Sequence, residues 1–110
     1  MARIDKAWFV VRGIAGQSLS GLLGVVFSTG GSVVVAGTTA ALQADGVVCI
    51  PGTITAGNPV GVLKEGEIVE FGGSAATAYF AGSTGTLGTV GTNAKQIGKT
   101  VEGDRLVVHM

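Results

Sequence analysis

Few side chains in this sequence could do chemistry. His109, the single histidine, is next to last in a chain of 110 residues. It has no second histidine or cysteine pair with which to share a metal, and a chain end holds a general base poorly in register. It reads as a strand-edge or interface residue. Glu65, Glu67 and Glu70 cluster beside Lys64. Paired carboxylates can divide acid and base roles when burial raises the pKa of one of them. Strand alternation instead puts Glu67 and Glu70 on opposite faces, with Glu65 at a turn, so the cluster reads as a solvated hairpin tip. The run Gly91-Thr-Asn-Ala-Lys-Gln-Ile-Gly98-Lys99-Thr100 ends like a phosphate-binding loop. Such a loop needs a glycine five residues before Gly-Lys-Thr so that its backbone can wrap the phosphates. That position holds Asn93, and Gly91 lies two residues too far back. Serines and threonines abound, but without a histidine partner none forms a triad. The sequence reads as a protein that is not an enzyme and binds no cofactor.

Composition narrows the class further. Seven Lys and Arg balance seven Asp and Glu, and charged residues make up 13% of the chain, about half the ~25% of an average soluble protein. No basic excess exists to neutralise phosphates, which argues against nucleic acid as a partner. Cys49 is alone, so it can neither staple a secreted fold nor build a zinc site; it reads as a small buried hydrophobe in Val47-Val48-Cys49-Ile50. A small free-standing domain carries about 25–35% charge on its surface and a net charge away from zero. This chain does neither, so its surface is expected to be completed by other copies or by another protein.

Lipid is the rival explanation. The 32 residues from Gly13 to Ala44 carry no charge, and a spanning helix needs about 20 apolar residues. Glycines, serines and threonines interrupt this stretch throughout. Its longest apolar runs, Gly24–Phe27 and Val33–Ala36, are strand lengths bounded by turn formers. The apolar run Ala7–Val11 stops at Arg12, short of the ~7–15 residues a signal peptide needs. No membrane is expected, and the chain is expected to stay in the cytosol.

The elements that must position these residues are strands. Turn signals recur at a spacing that suits an all-β sandwich or small barrel. Candidate strands are Lys6–Arg12, Leu22–Ser28, Ser32–Ala36, Gly46–Ile50, Val60–Leu63, Glu67–Phe71, Thr77–Ala81, Lys95–Val101 and Arg105–His109. Gly13–Leu23 is ambiguous between turn and a single helical turn. Two tight hairpins are expected, one turning at Gly66 through a positive φ and one at Glu102-Gly103, with Asp45-Gly46 as a third turn. The glycine-spaced segment Gly82–Asn93 reads as a thin loop with one short strand, able to approach a neighbouring backbone closely. One domain is expected: residues 1–20 as an extended N-terminal arm or first strand, and residues 21–110 as a single β-domain.

Trp8 and Phe9 support two readings. Alternation puts Ala7, Phe9 and Val11 on one face and Trp8 and Val10 on the other. Phe9 then packs in the core while Trp8 covers a sheet edge. Alternatively, Trp8 anchors the segment on a partner, since Trp is enriched where interfaces concentrate their energy, and the strand adds to an open sheet edge through main-chain hydrogen bonds.

The stretch Gly52-Thr53-Ile54-Thr55-Ala56-Gly57-Asn58-Pro59-Val60-Gly61-Val62-Leu63 resembles the Gly-Thr-Thr-Ala-Gly-x-x-Val-Gly-Ile-Leu run of lambda-type phage head-decoration proteins, with Ile54 as an extra residue. Tyr79–Gly85 and Gln96–Val101, followed by a Val-rich strand, are similar to a broader group of tailed-phage capsid cement proteins. The resemblance covers roughly residues 46–110. In its frame Gly57 permits a type II turn, Pro59 holds the chain extended, and Gly61 lets a strand pass close to its neighbour. It implies a β-tulip-like domain that binds the outside of a capsid in the virion, contacts the major capsid protein, forms a homotrimer and stabilises the expanded head. The candidate residues for contact with the capsid or a neighbouring subunit are Trp8, Phe9, Arg12, Gly57, Pro59, Gly85, Gly88 and His109. Two other readings stay open: another β-structural phage component such as a tail tube, head fibre or adaptor, or a small soluble module that binds a sugar or peptide.

Overall fold

The computed structural model describes residues 2–37, 42–91 and 94–110. Among them are nine strands: β1 (Arg3–Ala15), β2 (Leu19–Phe27), β3 (Ser32–Val35), β4 (Gly46–Ile54), β5 (Pro59–Val69), β6 (Ala78–Ala81), β7 (Leu87–Gly88), β8 (Lys95–Glu102) and β9 (Arg105–His109). The expected all-β class is what the chain adopts. One sheet runs in the order β1-β3-β2-β4-β5-β9-β8-β6-β7, and a further pairing of β1 with β5 joins five strands into a ring. The expected N-terminal segment supplies β1, which lies along β5 from Arg3↔Val69 to Ile14↔Pro59. Gly13–Leu23, ambiguous in sequence, resolves into the end of β1, a bend and the start of β2. No described helix is long and apolar enough to cross a membrane.

Two apolar clusters hold this sheet together. One, inside the ring, contains Ala15, Leu19, Val25, Val33, Val48, Ile50, Val60 and Val62. The other gathers Val47, Leu63, Ile68, Tyr79, Ile97, Leu106 and Val108. Val47 and Val48 are neighbours in sequence, as are Val62 and Leu63, and all four are fully buried. Successive side chains of a strand point to opposite faces. β4 and β5 therefore form a wall with a core on each side, which is why Val47-Val48 and Val62-Leu63 read as continuous apolar runs rather than as alternation.

That wall overturns one expected hairpin. The chain does not turn at Gly66; β5 runs through it from Pro59 to Val69. A Cβ on Gly66 would strike the backbone oxygen of Lys6 and come within 2.9 Å of Leu63 Cδ1. The glycine lets β1 and β5 approach, and its backbone lies outside the positive-φ region. With the hairpin goes the solvated tip: Glu67 is only 8% exposed, its Oε1 3.5 Å from Arg105 Nη1. The second expected hairpin is present, with Glu102 opposite Arg105 and the turn at Gly103-Asp104. Asp45 stands at a bend, where its Oδ2 accepts the Phe27 N–H at 3.0 Å and Gly46 enters β4.

The apparent phosphate loop also dissolves. Gly98, Lys99 and Thr100 lie within β8, and Gly98 packs against the Val107 backbone with no room for a side chain; the diagnostic position 93 lies outside the described residues. Thr100 is instead a buried anchor. Its hydroxyl donates to the Ser74 carbonyl and accepts the Thr77 N–H at 2.9 Å. Beside it, Tyr79 Oη accepts the Ser74 N–H at 2.9 Å, and its ring meets Phe71 edge-on at 4.7 Å. Thr100→Val keeps the shape but strands two backbone groups, so it should cost about 1–3 kcal/mol. A denaturant titration checks this, with Thr100→Ser, which keeps the hydroxyl, as the milder variant.

Candidate interaction surface

β1 differs from every other long strand in how little of it is covered. Its inner edge pairs with β5, but its outer edge pairs only at Ile14↔Ser32 and Ala15↔Val33 on β3. From Arg3 to Gly13 the outer edge has no strand partner among the described residues. Residues 3–10 are all exposed. Of the eight large hydrophobic side chains exposed among the described residues, five lie on this strand: Ile4, Trp8, Phe9, Val10 and Ile14. An open edge is a template for another chain, and native proteins normally blunt one with charge, proline or bulges.

The pairing of β1 with β5 is bulged. The register jumps between Ile4 and Lys6, between Ala7 and Phe9, and between Phe9 and Val10. Asp5 and Trp8 are the extra residues on β1, and Lys64 is the extra residue on β5. A bulge re-aims side chains and adds twist. That overturns the alternation expected for Trp8 and Phe9. Phe9 is not a core residue: it is 50% exposed, and Trp8 is 59% exposed.

The structure gathers six of the eight candidate contact residues along this ribbon. Trp8, Phe9 and Arg12 are on β1, with Arg12 opposite Gly61 and Ile14 opposite Pro59. Gly57 sits in the adjoining turn at φ 93°, with the Asn58 N–H on the Thr55 carbonyl at 3.3 Å, as a type II turn requires of its third residue. The Gly57 N–H reaches the Ala15 carbonyl at 2.7 Å, tying the turn to the end of β1. His109 joins from the other side: Phe9 is opposite Glu65, and Glu65 is opposite His109. The imidazole Nδ1 lies 3.7 Å from Glu65 Oε1, with the side chain largely exposed.

Gly85 and Gly88 lie elsewhere. Gly85 is buried at φ 74°, where a Cβ would come within 2.6 Å of the Gly24 carbonyl oxygen, so it seats the loop against β2. Here the close backbone approach expected of the glycine-spaced segment is realised. Gly88 pairs with Phe80 in β7, the one short strand of that segment.

Sequence reasoning missed Ile4, Val10 and Ile14 as surface residues. The available signal was the charge beside them, since Arg3, Asp5, Lys6 and Arg12 are nearly a third of the fourteen ionisable Lys, Arg, Asp and Glu side chains in the chain. At the start of β1 a cavity of about 480 Å³ is lined by Ala2, Arg3, Ile4, Cys49, Pro51 and Glu70. Arg3 Nε donates to Glu70 Oε2 at 2.8 Å. Cys49, half-buried rather than in the core, donates its S–H to the Ala2 carbonyl at 3.2 Å. Burial pushes its thiol pKa up, which keeps it protonated and weakly nucleophilic. This surface can bind in two ways: by removing apolar side chains from water and by pairing its main chain.

No family model matches the chain, and no curated protein matches it. A solved structure does. A protein of Mycobacterium phage Patience superposes with a TM-score of 0.82 at 17% identity, covering 98% of this chain and 95% of that one. The chain thus shares, from end to end, the all-β fold of that phage protein.

Proposed function

We propose that this protein is a structural component of a phage virion that binds the outer surface of the capsid and stabilises the expanded head, as a decoration or cement protein. Its partners in this reading are the major capsid protein and further copies of itself, arranged as a homotrimer. It performs no reaction and needs no cofactor. The observation that carries the reading is β1, an open-edged strand with five large apolar side chains in water. The phage setting is supported by the fold shared with a phage protein over nearly the whole chain. The low charge, 13% of residues, is consistent with a surface completed by neighbours. Many weak contacts repeated over a shell add through multivalency, and a protein that binds only the mature lattice stabilises it by mass action.

The test is cosedimentation with shells assembled from the major capsid protein of the same genome. The protein should pellet with expanded shells, leave unexpanded shells largely bare, and raise the temperature at which expanded shells rupture. Binding to neither form, with the protein monomeric at high concentration, would overturn the reading. Open tubes, or closed rings of many more than three copies, formed by the pure protein would favour a tail component.

A further inference from the structure

Besides the five on β1, the exposed large hydrophobics among the described residues are Leu42, Val90 and Val101. Val101 belongs to the β8–β9 hairpin end, where Glu102 leads into the turn and the exposed Asp104 lies within it. Around their apolar centres the two surfaces differ in net charge: β1 carries Arg3, Lys6 and Arg12 against Asp5, and the hairpin turn carries Glu102 and Asp104 against Arg105. On β1, Lys6 and Arg12 bracket Trp8, Phe9 and Val10, and neither cation has an ion pair among the described residues. At the hairpin end, Asp104 also has none, and Glu102 reaches only Arg105 of its own turn, at 3.3 Å. The two surfaces cannot meet within one molecule, because β5 and β9 lie between β1 and β8 in the sheet.

We infer that the β8–β9 hairpin end of one copy docks on β1 of the next, Val101 against the Trp8–Val10 stretch and the Glu102 and Asp104 carboxylates towards Lys6 and Arg12. Lys6 and Arg12 stand six residues apart, about 20 Å of strand, and hairpin strands are about 5 Å apart. One hairpin end therefore fits between the two cations. The contact joins different patches, so it is heterologous, and a heterologous contact whose rotation closes makes a ring. This inference names the copy-to-copy contact of the assembly proposed above and rests on that reading for its setting.

Charge reversal with rescue tests it. Lys6→Glu with Arg12→Glu should weaken self-association at least tenfold in sedimentation equilibrium, and Glu102→Lys with Asp104→Lys should do the same. Each double variant should keep cooperative thermal unfolding. Combining all four substitutions should restore association to within about threefold of the original protein. The inference is overturned if neither reversal weakens association, if the quadruple variant is no better than the doubles, or if the original protein never associates. It is also overturned if reversal on β1 spares self-association and abolishes only shell binding, which would give that strand to the capsid. Absence of shell binding by the original protein, with ring formation and rescue intact, removes the capsid reading and leaves the contact standing.

Discussion

Replacing Gly66 with valine should leave the chain unable to fold cooperatively. Its backbone lies where β1 crosses β5, and even a methyl group there would overlap the Lys6 carbonyl oxygen, a main-chain atom that cannot swing aside. Leu63 Cδ1, at 2.9 Å from that methyl position, belongs to a fully buried side chain. Overpacking a core costs about 1–3 kcal/mol when side chains can adjust, and more where they cannot. We expect Gly66→Ala to cost about 3 kcal/mol and Gly66→Val more. Domains are stable by only about 5–15 kcal/mol. Gly52→Ala on β4 is the control: nothing lies within 4 Å of its added Cβ, so the change should stay within about 0.5 kcal/mol. Denaturant midpoints for the three variants measure the series. An alanine variant at position 66 as stable as the original protein would mean that the two strands do not approach as described.

The second large effect is the reverse, function lost with the fold intact. Trp8→Ala combined with Phe9→Ala removes two aromatic side chains that are half exposed or more and belong to neither core. Stability should move by less than about 1 kcal/mol. Affinity for the partner should fall at least a hundredfold, because central aromatic anchors commonly contribute about 2 kcal/mol or more each and about 1.4 kcal/mol is a factor of ten. Sedimentation equilibrium of the pure protein and shell cosedimentation read the affinity, and a denaturant titration on the same preparation reads the stability. Unchanged binding would remove β1 from the interface. Loss of cooperative unfolding would show that the aromatics serve the fold instead.

The contrast between these positions shows what could be read from the residues. Strand chemistry was plain wherever a strand is buried on both faces or bounded by a glycine turn: Gly46–Ile50, Ser32–Val35 and the β8–β9 hairpin sit close to where the local pattern puts them. Gly66 was misread because a glycine that permits a turn and one that permits close approach look the same in sequence, and only the path of Lys6 separates them. Glu67 was misread with it. The placement of Phe9 failed for a related reason: Trp8 is an extra residue in a bulge, and a bulge has no composition that announces it. The candidate surface was legible in part. Trp8 and Phe9 stand out by type, and Pro59 and Gly57 by motif. What brings them together is the β1–β5 pairing, a contact between residues more than forty positions apart.

That pairing has a further consequence for how the molecule is made. Arg3 finds its partner in Val69 and Ile14 finds its partner in Pro59, so β1, made before β5, must wait for it. Contacts this distant close late and slowly in all-β chains. During that interval a greasy ribbon is bare in a crowded cell, the state in which nascent proteins clump. Asp5, Lys6 and Arg12, together with the two kinks that break its regular pleat, are the features that discourage premature partners. The same irregularities that shape the finished contact face thus chaperone it on the way there.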